Sequence, residues 1–169
     1  MKFSVGYNEK YGFLDLLKEK KNNISSVYFA LPKELGTSGR PIRQYNGDYK
    51  SEIKELISTC KKYNIDTILL LNSTIESKDD FSVEKIKLLF DYIEEIIGYG
   101  LTSISITNML YMKIILKRFP NLKYFSSVNC RLKTIEQAIF FKKLGINVLT
   151  IDRDINRNID LIKKIESKT

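Results

Sequence analysis

A glycine-rich, cationic loop is the first candidate for chemistry in this sequence. The stretch Leu31–Arg43, LPKELGTSGRPIR, follows an apolar run and contains Gly36, Gly39, Arg40 and Arg43. Glycines allow the backbone to approach a ligand closely, and guanidinium groups bind carboxylates or phosphates through paired hydrogen bonds. The loop is not a P-loop, because Arg-Pro follows the second glycine where Lys-Ser/Thr is required. We therefore expect either a solvated connection or an anion-binding loop with Arg40 and Arg43 as ligand-binding candidates.

Asparagines stand at the ends of several predicted strands: Asn8, Asn72, Asn108 and Asn129. The carboxyl ends of parallel strands meet at one edge of a sheet, where ligands bind. Amide side chains there offer both donors and acceptors, which suits a polar, neutral or zwitterionic ligand. The alternative is that each asparagine caps the helix that follows, a role this residue type favours. Both interpretations stay open for each of the four.

A second polar cluster is Asp152-Arg153-Asp154, at the end of the last predicted strand. A carboxylate beside an arginine suits acid–base chemistry or anion binding. The pair could equally orient the final helix, whose N-terminus favours acidic residues. Ser127, at the end of another predicted strand, has no histidine to activate it and is expected to bind rather than attack a ligand. Arg153 and Ser127 complete the ligand-binding candidates, and the catalytic residues stay unassigned.

The sequence contains no histidine and only two cysteines, Cys60 and Cys130. The lack of histidine excludes Ser-His and Cys-His catalytic pairs and histidine-ligated zinc sites. Two widely separated cysteines form neither a disulfide framework nor a metal-binding motif. We expect a chain without a bound metal, in the reducing environment of the cytoplasm.

The net charge is +8, from 28 basic and 20 acidic residues. A basic protein of this kind can bind nucleic acid. The lysines, however, are spread over every predicted helix, which is typical of solvated helix surfaces. RNA binding is therefore the less favoured alternative. No apolar stretch reaches the ~18 residues of a membrane span, and no secretory signal follows Met1.

Short apolar strands alternate with amphipathic helices along the whole chain. The strands are predicted at Lys2–Tyr7, Ser25–Leu31, Asp66–Leu71, Thr102–Thr107, Lys123–Val128 and Asn147–Asp152, and each is almost continuously apolar, as in a parallel sheet covered on both faces. The helices are predicted at Tyr49–Tyr63, Val83–Ile97, Leu110–Arg118, Thr134–Leu144 and Asn156–Glu166. Their apolar stripes are expected to include Ile53, Leu56, Ile57 and Cys60 in one helix and Val83, Ile86, Phe90, Ile93 and Ile97 in the next.

This alternation predicts an α/β fold in one domain over residues 1–169. A doubly wound sheet would show a phosphate-binding fingerprint after its first strand, and Val5–Glu9 is not one. A closed (β/α) barrel needs eight units and about 250 residues. We therefore predict a parallel (β/α) barrel-type sheet of six strand–helix units, an incomplete TIM barrel. Its open edge is expected to pair with a second copy or with a partner chain.

Several segments of the second half resemble the collagenase-like peptidase family U-32. These are Ser127–Arg131 (SVNCR), Thr134–Ala138 (TIEQA), Phe141–Gly145 (FKKLG) and Val148–Arg153 (VLTIDR). In that family a strand ending in Ser-Thr-Gln precedes a helix, a Leu-Gly turn and a strand ending in arginine. Ser127 and Arg153 match this pattern, whereas Asn129 replaces the glutamine. The third strand, ending at Asn72, and the Gly36–Pro41 loop are also similar.

The resemblance implies the N-terminal TIM-barrel region of a peptidase-like protein, a hydrolase that binds an anionic or peptide-like ligand at the carboxyl ends of its strands. An accessory, partner-binding subunit or an RNA-modification protein of the same family is the alternative. Family cysteine clusters that hold iron–sulfur centres follow the sixth unit, so a centre is expected only if the natural protein continues past Thr169. Whether this chain is itself an enzyme is left open.

Overall fold

The computed structural model of the chain describes residues 2–8, 12–32, 35, 48–74 and 77–169. Within these ranges five strands alternate with six helices. The strands are β1 (Phe3–Gly6), β2 (Ile24–Ala30), β3 (Asp66–Leu71), β4 (Ser103–Ile106) and β5 (Lys123–Ser126). The helices are α1 (Phe13–Lys20), α2 (Tyr49–Lys62), α3 (Val83–Tyr99), α4 (Met109–Arg118), α5 (Ile135–Leu144) and α6 (Ile159–Glu166). Helix α1 was not among the predicted helices. None of the described helices combines the length and apolar character that crossing a bilayer demands.

The strands follow chain order within a single sheet, β1-β2-β3-β4-β5. Strand β1 pairs in parallel with β2, and β2 in parallel with β3, for example through Tyr28 opposite Ile68. A doubly wound sheet reverses its strand order at a switch point, whereas a (β/α) barrel adds each strand beside the last one. The observed order confirms the predicted parallel, barrel-type α/β fold. Strands β1 and β5 are the two edges of the described sheet and do not pair with each other, so the barrel is not closed.

The sixth predicted strand, Asn147–Asp152, does not form a regular strand. Only isolated parallel bridges remain, between Phe125 and Val148 and between Leu132 and Ile151. Side chains replace part of the ladder: the Asn147 amide oxygen accepts from the Tyr124 N–H at 2.7 Å. The Ser126 hydroxyl accepts from the Thr150 N–H at 2.8 Å. Because β5 ends at Ser126, the later part of the segment pairs with Leu132 instead of with a neighbouring strand.

The chain divides into two compact units, Met1–Leu70 with Ile75–Ser103, and Leu71–Thr74 with Ile104–Thr169. In the first unit the predicted stripe of α2 is confirmed: Ile53, Leu56, Ile57 and Cys60 are fully buried. Helix α3 differs from the prediction, because it buries Leu89, Tyr92, Ile93 and Ile96 and leaves Val83 78% exposed. Helix α3 itself carries apolar residues on more than one face, so the spacing of apolar residues in the sequence did not define which face is buried.

The second unit has its own core, which surrounds β4, β5 and the helices after them. Fully buried side chains there include Ile104, Ile106, Met112, Ile115, Leu132 and Ala138. Tyr124 extends from β5 to the end of α4, where its hydroxyl lies 2.5 Å from the Phe119 carbonyl oxygen and 3.3 Å from that of Ile115. Burial raises the pKa of the Tyr124 phenol, so the hydroxyl is a permanent donor. This contact ties the last turn of α4 to the sheet.

Replacement of Tyr124 by Phe is expected to lower the free energy of unfolding by about 1–2 kcal/mol, because the buried hydrogen bond to the Phe119 carbonyl oxygen is lost. Urea titration followed by circular dichroism measures the change. Tyr63→Phe is the control, because the Tyr63 ring is half-buried and its hydroxyl has no hydrogen bond among the described residues. Equal stability losses in the two variants would contradict the role assigned to the Tyr124 hydroxyl.

Candidate anion-binding site

A tight turn after β5 builds one wall of the candidate site. Ser127 ends the extended backbone and begins the 3-10 turn Val128–Cys130, its hydroxyl accepting from the Asn129 N–H at 3.2 Å. Its own N–H donates to the Ile106 carbonyl at 3.0 Å, which holds the turn beside the carboxyl end of β4. Arg131 ends the turn in the left-handed conformation, with φ 49° and ψ 48°. Non-glycine residues adopt this conformation uncommonly, and such positions cluster at functional sites.

The side chain of Asn129 connects this turn to the end of β3. Its Nδ2 donates to the Asn72 carbonyl oxygen at 2.8 Å. A backbone carbonyl only accepts, so this contact fixes the orientation of the amide group. The Asn129 Oδ1 atom has no hydrogen bond within the described part of the chain. Asn129 therefore presents a free acceptor beside the turn.

Leu132 anchors the residues that follow the turn. Its side chain is completely buried, and its carbonyl accepts from the Asp152 N–H at 2.8 Å. Arg131 and Lys133 flank this buried residue, and both line the same pocket. The buried Leu132 side chain therefore fixes the backbone positions of its neighbours Arg131 and Lys133.

Two carboxylates partly neutralise Lys133. The ammonium group forms an ion pair with Asp154 and lies 3.8 Å from Asp152 Oδ1. The hydrogen bond that Lys133 donates to Asp154 raises the pKa of Lys133 and lowers the pKa of Asp154. Asp152 is only 8% exposed and caps the 3-10 turn Arg153–Ile155 by accepting from the Asp154 N–H at 2.9 Å. Lys133 is therefore a fully charged structural cation rather than a candidate nucleophile.

These residues enclose an open pocket of about 300 Å³. Its lining consists of Val128, Asn129, Arg131, Lys133, Asp152, Arg153 and Asp154. Within the described ranges, neither Arg131 nor Arg153 forms an ion pair or a side-chain hydrogen bond. Arginine has five donors in a planar group that matches a carboxylate. The pocket thus offers two guanidinium groups that are available for an anion.

The nucleophilic groups next to the pocket are unsuited to attack in their present environment. Burial raises the pKa of the Cys130 thiol to about 11, and its Sγ lies 3.4 Å from the Ile106 carbonyl oxygen. The thiol is therefore protonated at neutral pH, whereas a cysteine nucleophile must be a thiolate. The Ser127 hydroxyl is buried and accepts a backbone hydrogen bond. Among the described residues no group of three or more carboxylates or cysteines could hold a metal ion.

Four residues predicted from the sequence meet at this end of the second unit: Asn72, Ser127, Asn129 and Arg153. Asn108 begins α4 and accepts from the Leu110 and Tyr111 N–H groups at 2.8 and 3.2 Å, so here its side chain acts as a helix cap. Arg40 and Arg43, with the rest of the Gly36–Arg43 loop, lie outside the described residues. Asn8 belongs to the first unit.

Sequence reasoning did not identify Arg131 and Lys133 as site residues. Both lie in an irregular connection between β5 and α5, where no hydrophobic period indicates orientation. A signal was nevertheless present, because the alternation Arg131-Leu132-Lys133 is the pattern of an extended segment with one buried residue.

Known proteins share this architecture. The model of peptidase family U32 matches residues 16–169. The solved structure of the U32 peptidase Mk0906 superposes with a TM-score of 0.76 at 16% sequence identity and covers all of this chain. A thiamine phosphate pyrophosphorylase from Pyrococcus furiosus follows with a TM-score of 0.56 and 9% identity, over 98% of this chain and 69% of that one.

The chain spans 66% of the length of the Mk0906 structure. No curated protein matches the sequence. At these identities the structural likenesses show the fold alone, whereas the family match extends over most of the chain.

Proposed function

Because the chain belongs to peptidase family U32, we propose that it binds an anionic or peptide-like ligand in the pocket beyond β5. Arg131 and Arg153 bind the anionic group, and Asn129 orients the rest of the ligand. The observation that carries this proposal is that one pocket contains two guanidinium groups that form no ion pair or side-chain hydrogen bond among the described residues. Both side chains are exposed at the mouth of an open pocket, where guanidinium groups can bind an anion through paired hydrogen bonds.

The position of the pocket supports the same function. It lies where the chain leaves β5 and the Asn147–Asp152 segment, at the carboxyl ends, and barrel-type folds bind their ligands there. The residues that surround it are held by buried contacts rather than by surface loops alone. Leu132 is completely buried, and Asp152 and Ser127 are 8% and 4% exposed. Such support fixes the backbone from which the two exposed arginine side chains extend.

Within a peptidase-type reaction the proposed role of this chain is to hold the substrate. The Cys130 thiol is protonated, the sequence contains no histidine, and Lys133 is paired with carboxylates. The binding residues are therefore distinct from any nucleophile, which we leave unassigned. Hydrolysis of a peptide is the reaction that we propose for the family member as a whole.

Arg131→Ala and Arg153→Ala test the proposal. Sodium acetate and inorganic phosphate, titrated at constant ionic strength, are the probes, and the NMR amide shifts of Asn129, Leu132 and Asp154 are the readout. Each variant is expected to weaken the binding of the anion about 10- to 100-fold, because a charged hydrogen bond contributes about 1.5–3 kcal/mol.

Arg157→Ala is the matched control, because Arg157 is an exposed arginine of the same segment that does not line the pocket. It is expected to leave anion binding unchanged. If neither anion shifts the pocket amides of the wild-type chain, the proposed function is wrong. The same holds if Arg157→Ala weakens binding as much as Arg153→Ala does.

A further inference from the structure

We propose that the ligand of this pocket is the free carboxyl terminus of a peptide. The terminal carboxylate binds between Arg131 and Arg153, and the N–H of the last peptide bond donates to Asn129 Oδ1. This inference depends on the proposed function, since it names the ligand class of the same site. It rests on three properties of the pocket: its net charge, its free acceptor and its size.

The net charge of the pocket matches an anion with a single charge. Arg131, Lys133 and Arg153 contribute three positive charges, and Asp152 and Asp154 contribute two negative charges, which leaves one positive charge. A carboxylate neutralises this charge completely. A phosphate monoester, with nearly two negative charges at pH 7, would leave an unbalanced charge close to Asp152 and Asp154. The two carboxylates thus act against phosphorylated ligands.

The second property is the acceptor on Asn129. Its Nδ2 is committed to the Asn72 carbonyl at 2.8 Å, which leaves Oδ1 for a donor of the ligand. A simple carboxylic acid has no such donor, whereas the last residue of a peptide carries both an amide N–H and the terminal carboxylate. A pocket that places an acceptor beside two arginines therefore distinguishes a peptide end from a simple carboxylate. Because Asn129 is half-buried, water can replace the missing donor when another ligand binds, so this contact is expected to contribute several-fold to the preference.

The third property is size. At about 300 Å³ the pocket stands at the lower end of the range for ligand sites, so it holds a chain end rather than an extended segment. Internal segments of a protein have no main-chain carboxylate beside a peptide N–H, and they would have to pass through the site. Selection of chain ends follows from these two facts together.

N-acetyl-trialanine with a free carboxylate, and the same peptide as its C-terminal amide, test this inference. Sodium acetate, inorganic phosphate and free L-alanine complete the set of probes, and the NMR amide shifts of Asn129 and Leu132 give each dissociation constant. The free acid is expected to bind at least tenfold more tightly than the amide and more tightly than acetate, phosphate or L-alanine. Arg153→Ala should remove the preference for acid over amide.

Asn129→Ala separates the two recognition elements. It is expected to weaken the free-acid peptide several-fold while changing the acetate affinity little, because acetate has no N–H for Oδ1. Equal binding of acid and amide would overturn the inference, and so would tighter binding of phosphate or L-alanine than of the free-acid peptide. If phosphate binds through the arginines and the peptide does not, only the inference fails. If no probe binds, the proposed function fails with it.

Discussion

Leu132→Ala is expected to lower the free energy of unfolding by about 2–5 kcal/mol and to disturb the pocket at the same time. Leu132 is completely buried, so removal of its side chain leaves a cavity that the surrounding core fills only in part. The backbone of the same residue accepts from the Asp152 N–H, and its neighbours Arg131 and Lys133 line the pocket. Loss of this anchor therefore loosens both cationic side chains.

Thermal unfolding measures the stability change, which corresponds to a decrease in Tm of roughly 5–15 °C for a chain of this size. Leu110→Ala is the matched control, because Leu110 lies in the same unit and is 45% exposed. It is expected to change stability by about 0.5 kcal/mol or less. A Leu132 variant as stable as the Leu110 variant would show that the core does not hold the pocket.

Gly145→Ala is the second change with a large expected effect. Gly145 ends α5 with φ 102°, a conformation that costs a residue with a side chain about 1–3 kcal/mol. An added Cβ would also lie 2.9 Å from Leu116 Cδ2, so the end of the Leu116 side chain would have to shift. The unfavourable φ and the close contact both destabilise the variant, so its free energy of unfolding is expected to fall by at least about 1–3 kcal/mol.

Gly98→Ala is the control of opposite sign. Gly98 lies inside α3, and an added Cβ meets no atom within 4 Å. Alanine is favoured over glycine in a helix by up to about 1 kcal/mol, so this variant is expected to be more stable than the wild type. Urea titration of both variants measures the change in the free energy of unfolding that each substitution causes. Equal effects of the two substitutions would exclude the conformational explanation for Gly145.

Much of the fold could be predicted because the central strands β3 and β4 are buried on both faces. The prediction for β3, Asp66–Leu71, agrees with the structure at both ends, and the stripe of α2 is fully buried as expected. The sixth strand could not be predicted correctly, since Val148 and Ile151 have strand-like character but pair with different parts of the chain. Whether apolar residues form a strand depends on which segment lies beside them in the fold. A local sequence pattern carries no information about that neighbour.

The site was only partly accessible from the sequence. Asn129 and Arg153 were identified because each follows a predicted strand, and position at a strand end is a local property. The role of Asn108 as a helix cap could not be distinguished in advance from ligand binding, since both place an asparagine between a strand and a helix. Arg131 depends on a left-handed turn, which its residue type does not favour.

The environment of the two thiols bears on how this protein withstands oxidation. Burial raises the pKa of Cys60 to about 12 and that of Cys130 to about 11. At pH 8 on the order of one Cys130 side chain in a thousand is a thiolate, and peroxide and disulfides react with that form. Both thiols are therefore expected to react slowly with peroxide and with disulfides.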